Sequence, residues 1–134
     1  GGWHSKSYFI HQDCNVPTEL LNMSKIIYNF YSENVLKNKK YIEVFTMLWV
    51  NINNKEDYNI LHTHPHSHYS GVYYVRTPKN SGNLYFDDSY EIIPEEGMLY
   101  MWESHLEHGV NKNKTNKDRV SISFNFNFDG LKNN

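Results

Sequence analysis

Apolar and polar positions along the chain follow two different periods. Between Pro17 and Tyr31, Leu20, Met23, Ile27, Phe30 and Tyr31 recur at helical spacing and form one apolar stripe. Pro17 suits a first helical turn, where its missing N–H would have no partner anyway. The stripe predicts a helix over 17–31 that covers one face of a sheet. After the polar stretch Asn34–Lys40, the run Tyr41–Ile52 is dense in Ile, Val, Phe, Leu and Trp, which predicts a buried strand. Asn53–Asp57 reads as a turn. Short strands then alternate with turn residues: Ile60–His64, Gly71–Arg76, Asn83–Phe86, Tyr90–Ile93, Met98–Trp102, His108–Val110 and Arg119–Phe128. Hairpin spacing of this kind predicts a β-rich sandwich or jelly roll over about residues 41–128 with one or two covering helices. Trp3, His4, Tyr8 and Phe9 predict an edge strand or an arm laid over the core, and Asn111–Lys117 is polar enough to be a mobile loop.

Composition narrows the class. At 134 residues, 39% of them hydrophobic and 16% aromatic, the chain reads as a single domain with enough apolar material for one core. Eleven Tyr, seven Phe and three Trp favour strands. A net charge of −2 with mixed signs leaves no basic stripe, which disfavours nucleic-acid partners. Cys14 is alone, so no intrachain disulfide can form. No apolar run approaches the ~20 residues of a membrane span, and no signal peptide is visible, so the expected location is cytoplasmic, or the host cytoplasm if the chain is phage-encoded. The chain begins at Gly1 rather than Met, which leaves an upstream domain open.

The chemistry concentrates in Asn59–Val75, where His62, His64, His66 and His68 fall within seven residues. Residues two apart on a strand share a face, so His62 and His64 could grip one metal ion, or form a hydrogen-bonded pair on a half-buried strand. Pro65 cannot donate to a sheet ladder and should end that strand, leaving His66 and His68 on the following loop. A jelly roll brings distant strands together, and the second half of the chain offers His105, read as a turn residue, and His108, which opens a new strand. Farther on, alternation sets Arg119, Ser121, Ser123 and Asn125 on one face of the last strand and Val120, Ile122, Phe124 and Phe126 on the other. Burying an unpartnered arginine costs several kcal/mol, so this face implies an anionic ligand, a paired acid or exposure to solvent. Tyr73 and Tyr74 alternate, so one of them faces a pocket. Gly71 and Gly82 read as bulge or turn residues, Gly97 as a turn residue, and Trp49 and Trp102 as core.

The order His62-Thr-His64, Ser70-Gly-Val-Tyr-Tyr-Val, Ser81-Gly-Asn-Leu-Tyr-Phe-Asp, Pro94-Glu-Glu-Gly, His108-Gly-Val, Arg119-Val-Ser resembles the 2-oxoglutarate and iron(II)-dependent oxygenases. Within them it is most similar to small hydroxylases of marine phages and bacteria that are related to prolyl hydroxylases. The resemblance implies a double-stranded β-helix acting as an iron(II)-dependent dioxygenase with O2 and 2-oxoglutarate as cosubstrates, supported by ascorbate, and hydroxylating a C–H bond of a peptide or small molecule that the sequence does not name. It implies that His62 opens the metal motif, that His108 is the distal histidine, and that Arg119 binds the far carboxylate of 2-oxoglutarate with help from Ser121 and Tyr74. One position departs from the pattern: an Asp or Glu usually stands two residues after the first histidine, completing a facial triad, and this chain has His64. The site is then either a three-histidine one, His62, His64 and His108, or it takes an acid from Asp87, Asp88 or Glu103. Two alternatives remain, a cupin-type metal dioxygenase or isomerase without a cosubstrate, and a non-catalytic jelly-roll binding module.

Overall fold

The computed structural model describes residues 2–9, 15–36, 40–64, 66–87 and 90–132. The predicted helix is α1, Thr18–Tyr31, with Pro17 as its N-cap residue; the Pro17 carbonyl accepts from the Leu20 and Leu21 amides and Glu19 sits in the positive first turn. It runs on into a π-helical turn, Ser32–Leu36, beyond the predicted end. Leu20, Met23, Ile27 and Tyr31 are buried as the stripe requires, while Phe30 is only half-buried.

Among the described residues the strands are β1 (Trp3–His4), β2 (Tyr8–Phe9), β3 (Lys40–Asn53), β4 (Asn59–His62), β5 (Tyr69–Arg76), β6 (Leu84–Phe86), β7 (Glu91–Ile92), β8 (Leu99–Glu103), β9 (His108–Val110) and β10 (Arg119–Lys132). They form two antiparallel sheets, a larger one ordered β1-β3-β10-β5-β8 with β2 also on β3, and a smaller one ordered β4-β9-β6-β7. The architecture is the double-stranded β-helix expected from the sequence. The N-terminal aromatic segment supplies two short edge strands. β10 continues past Phe128, where the hydrophobic pattern stops, because its backbone ladder with β3 runs on to Lys132↔Lys40.

Two apolar layers hold the sheets. Met23, Ile27 and Tyr31 of α1 pack on Leu48, Phe124 and Phe126 of the large sheet. Between the sheets lie Val72, Tyr74 and Leu84, with Phe86, Ile92, Tyr100, Trp102 and Val110 around them. Each fully buried Leu, Ile or Phe contributes about 1.5–3 kcal/mol. Over 119–127, β10 therefore has buried residues on both faces: Phe124 and Phe126 meet the helix, while Arg119, Ser121 and Asn125 are buried on the opposite side.

Two expectations from the sequence change. The polar segment 111–118 is pinned by Asn113, which is fully buried and whose amide nitrogen donates to Asn53 O (2.9 Å) and Lys117 O (2.8 Å) while its oxygen accepts from Thr115. Gly71 marks no bulge. It lies in regular ladder between Phe124 and Met101, and a Cβ there would collide with the Phe124 ring and come 2.5 Å from Tyr100 O. Gly82 and Gly97 are turn residues with φ of 106° and 82°.

Gly71→Ala is therefore expected to cost about 3 kcal/mol or prevent folding, since overpacking has no flexible neighbour to absorb it. Gly97→Ala meets nothing within 4 Å and should cost only the ~1 kcal/mol of a left-handed alanine. Urea unfolding of the two variants checks this; equal costs would show that close approach is not what requires Gly71.

Candidate metal centre

His62 ends β4 and His108 opens β9, and the antiparallel register sets the two directly opposite each other. His64 arrives differently from the expected strand pairing: β4 stops at His62, and the His64 amide donates to Ser104 O (3.1 Å), in the loop that leads to β9. Pro65 lies outside the described residues. The three rings converge, with centroids 4.3 Å apart for His62 and His108, 4.9 Å for His62 and His64, and 5.2 Å for His64 and His108. One nitrogen from each lies within 4.8 Å of the others, the spacing of a group able to hold an ion.

Backbone carbonyls orient two of these rings. Nδ1 of His62 is 2.8 Å from Ile60 O and Nδ1 of His108 is 3.0 Å from Leu106 O, so a proton on Nδ1 is accepted in both cases and Nε2 keeps its lone pair. The Trp102 indole N–H also points at His108 Nδ1, at 3.2 Å. It can only donate, so it and Leu106 compete for the tautomer of this ring, and ligation through Nε2 selects the bond to Leu106. Burial lowers the pKa of His64 to about 4, with His62 nearby adding to the effect. Burial likewise takes His108 to about 4, opposed by the hydrogen bond to Leu106 and assisted by His62 and His64. Both rings are neutral at pH 7, so a metal does not have to compete with an imidazolium for either of them.

Neither of the described acids considered from sequence joins the histidine group. Glu103 is exposed and pairs with His105 at 3.5 Å. Asp87 is exposed and lines a separate cleft of about 530 Å³ behind Trp102. Asp88 lies outside the described residues. His66, His68 and His105 are exposed, as their loop positions suggest.

A cavity of about 470 Å³ joins the histidines to Arg119, Ser121 and Tyr74. Ser121 and Tyr74 are partners across β10 and β5, next to a register shift at Val120/Ser121. Arg119 is 2% exposed; its Nη1 donates to Ser81 O (3.3 Å) and Gly82 O (3.2 Å), and its Nε is buried without a partner. Solvent exposure is thus excluded for this guanidinium, and the ion pairs among the described residues do not include it. Burial pushes its pKa down, while Tyr74 and Asp57 push it up. Tyr74 is raised to about 12, by burial first and against the pull of Arg119, so it remains a hydroxyl donor. A buried cation, an orphaned N–H and a neutral phenol facing one cavity suit an anion.

Sequence reasoning took Trp49 and Trp102 for core. Both are half-buried and line the cavity, Trp49 with its ring 6.1 Å from His64. It also missed Ser70, Ser104 and Asn125 as neighbours of the site. Asn125 was legible, since the alternation of β10 puts it on the face of Arg119; Ser70 and Ser104 become neighbours only through strand pairing.

The two lowered histidines set a pH dependence. The unfolded chain titrates them near 6.5 and the folded one near 4, so between those values the unfolded state binds more protons and stability falls as pH falls. The Tm of the metal-free protein is expected to drop from pH 7 to pH 5. A flat profile would mean that these rings protonate as easily folded as unfolded.

No curated protein matches the sequence. Among solved structures, the fold is similar to a Pseudomonas putida prolyl-4-hydroxylase (14% identity, TM-score 0.65, 92% of this chain and 72% of that one). It is also similar to a Trichoplax adhaerens prolyl hydroxylase solved with a hypoxia inducible factor peptide fragment (16% identity, TM-score 0.65, 92% and 62%). A Burkholderia pseudomallei oxidoreductase of the 2OG-Fe(II) oxygenase family is a third (17% identity, TM-score 0.63, 87% of this chain), and the chain spans only 61% of its length. Over residues 47–93 and 87–125, more than half of its length, the chain matches the family model described as "Putative 2OG-Fe(II) oxygenase", and it belongs to that family, whose name implies iron(II) and 2-oxoglutarate.

Proposed function

We propose that the chain hydroxylates a C–H bond of a peptide or small molecule, coupled to decarboxylation of 2-oxoglutarate to succinate, with ascorbate keeping the iron reduced. His62, His64 and His108 would hold the iron, and Arg119, Tyr74 and Ser121 the distal carboxylate of the cosubstrate. The observation that carries this reading is the buried Arg119, its Nε unsatisfied, in the same cavity as the three converging histidines. The bound iron supplies the oxidising chemistry with O2; the protein positions and insulates. The planar guanidinium fork takes two carboxylate oxygens, and the Tyr74 hydroxyl, un-ionised at any physiological pH, adds a donor without a competing charge. Trp49, Tyr58 and Ile60 line the rest of the cavity and would face the primary substrate.

Three neutral ligands leave the ion one positive charge richer than a site with two histidines and a carboxylate. That is the observation favouring the second reading, a cupin-type metal oxygenase without a cosubstrate. Iron(II), ascorbate and 2-oxoglutarate in air should give succinate; metal retention without succinate would move the assignment to the cupin-type reading.

Arg119→Ala should leave folding and metal binding nearly intact while weakening 2-oxoglutarate roughly 30-fold to several thousandfold, the equivalent of about 2–5 kcal/mol for a lost buried charge-assisted pair. Arg119→Lys should recover only part of this. Calorimetric titration with manganese(II) bound and oxygen excluded measures it. Parent-like affinity in the alanine variant would assign the clamp to another residue, with Arg76 next to test.

A further inference from the structure

His64 is the ligand that departs from the family pattern, and unlike His62 and His108 it meets no backbone carbonyl at Nδ1 among the described residues. What faces it is Asn125, whose amide nitrogen lies 3.5 Å from His64 Nδ1. Asn125 is in turn bound to Ser70, with Oγ 2.9 Å from Asn125 Oδ1, and Ser70 Oγ lies 2.8 Å from Ser104 Oγ. All three are almost wholly inaccessible: Ser70 1% exposed, Ser104 1% and Asn125 6%. The row crosses three strands, from the end of β8 through β5 to β10, and Ser104 also accepts the His64 amide on its carbonyl. The ring is thus held at both its backbone and its imidazole by one buried polar chain that apolar packing does not require.

The direction of this chain decides which nitrogen of His64 is available. As placed, Ser104 donates to Ser70, Ser70 to Asn125 Oδ1, and the Asn125 N–H to His64 Nδ1, which puts the imidazole proton on Nε2. Turning the amide over exchanges two groups of the same shape. The His64 Nδ1–H then donates to Asn125 Oδ1, the Asn125 N–H to Ser70 Oγ, and the Ser70 hydroxyl to Ser104 Oγ. Each of the three contacts keeps one donor and one acceptor either way, with the Ser104 hydroxyl changing from donor to acceptor. The net change is one tautomeric shift: Nε2 gives its proton to solvent and Nδ1 takes one up. His108 has the same choice between the Trp102 indole and the Leu106 carbonyl.

We propose that Asn125 is a positioning residue: with its Oδ1 turned to the ring it is the hydrogen-bond acceptor that fixes His64 in the Nδ1–H tautomer with Nε2 aimed at the metal, an orientation that the Ser70–Ser104 pair accommodates. The inference rests on the three-histidine reading above. It supplies to an imidazole the orienting acceptor that ligating histidines generally require, and it explains a buried asparagine on the strand that carries Arg119.

Cobalt(II) titration of four proteins tests it: the parent, His62→Ala, Asn125→Leu and Asn125→Asp. Asn125→Leu, which removes the acceptor, should bind cobalt(II) roughly ten- to hundredfold more weakly, the usual effect of losing a partner that orients a metal ligand. Asn125→Asp is acceptor-only and should bind as tightly as the parent or tighter, whereas a merely structural role would make a buried carboxylate as damaging as leucine. If His62→Ala leaves cobalt binding unchanged, the metal-site reading fails. If His62→Ala abolishes it but Asn125→Leu matches the parent, or Asn125→Asp is as weak as Asn125→Leu, the metal site stands and the role of Asn125 is overturned. A measurement without substitution covers variants that do not fold: 15N spectra of the parent should report protonated Nδ1 on His64 with zinc(II) bound. Protonated Nε2 in the zinc-bound protein would equally refute the proposal.

Discussion

The constraint on which the structure turns is that β10, over 119–127, has buried residues on both faces and polar ones on one of them. Phe124 and Phe126 seal α1 to the large sheet, while the other side of the same strand places Arg119, Ser121 and Asn125 between the sheets, out of water. An apolar strand there would have been cheaper to bury. The polar row is tolerable because its members are distributed along a cavity: Arg119 gives one arm to the carbonyls of Ser81 and Gly82 and keeps Nε unsatisfied, and Asn125 is bound into the serine pair. In the proposed reading one strand would therefore carry both the carboxylate-binding end of the site and the support of its metal-binding end.

Much of the fold was legible because the two periods are clean. The helix stripe from Leu20 to Tyr31 and the alternation of β10 led to the right elements with ends off by a few residues. The joining of His62 to His108 followed from the expectation that a jelly roll pairs distant strands. What the sequence could not give is whatever depends on where backbone bonds go. β4 ends at His62 because the His64 amide bonds to Ser104, which no local pattern announces. Segment 111–117 looked like a mobile loop because Asn is polar, yet Asn113 is the residue that ties it down. Trp49 and Trp102 looked like core because tryptophan is large and apolar, whereas an indole half-buried beside a cavity serves as its wall.

The charge balance separates this site from the commoner facial triad. If His62, His64 and His108 hold a divalent ion as proposed, the cavity they share with the Arg119 guanidinium has no carboxylate among its described lining residues. A dianionic 2-oxo acid with one carboxylate near the metal and the other on Arg119 would complement both ends at once, and neither end alone accounts for the buried arginine.

That span is the central claim, and a crystal structure grown without oxygen in manganese(II) and 2-oxoglutarate tests it directly. The account predicts one ligand bridging an ion on His62, His64 and His108 and the guanidinium of Arg119, with the Tyr74 hydroxyl on its distal carboxylate. An ion held by a carboxylate such as Asp87, Asp88 or Glu103 in place of His64, or a 2-oxoglutarate that does not touch Arg119, would contradict it.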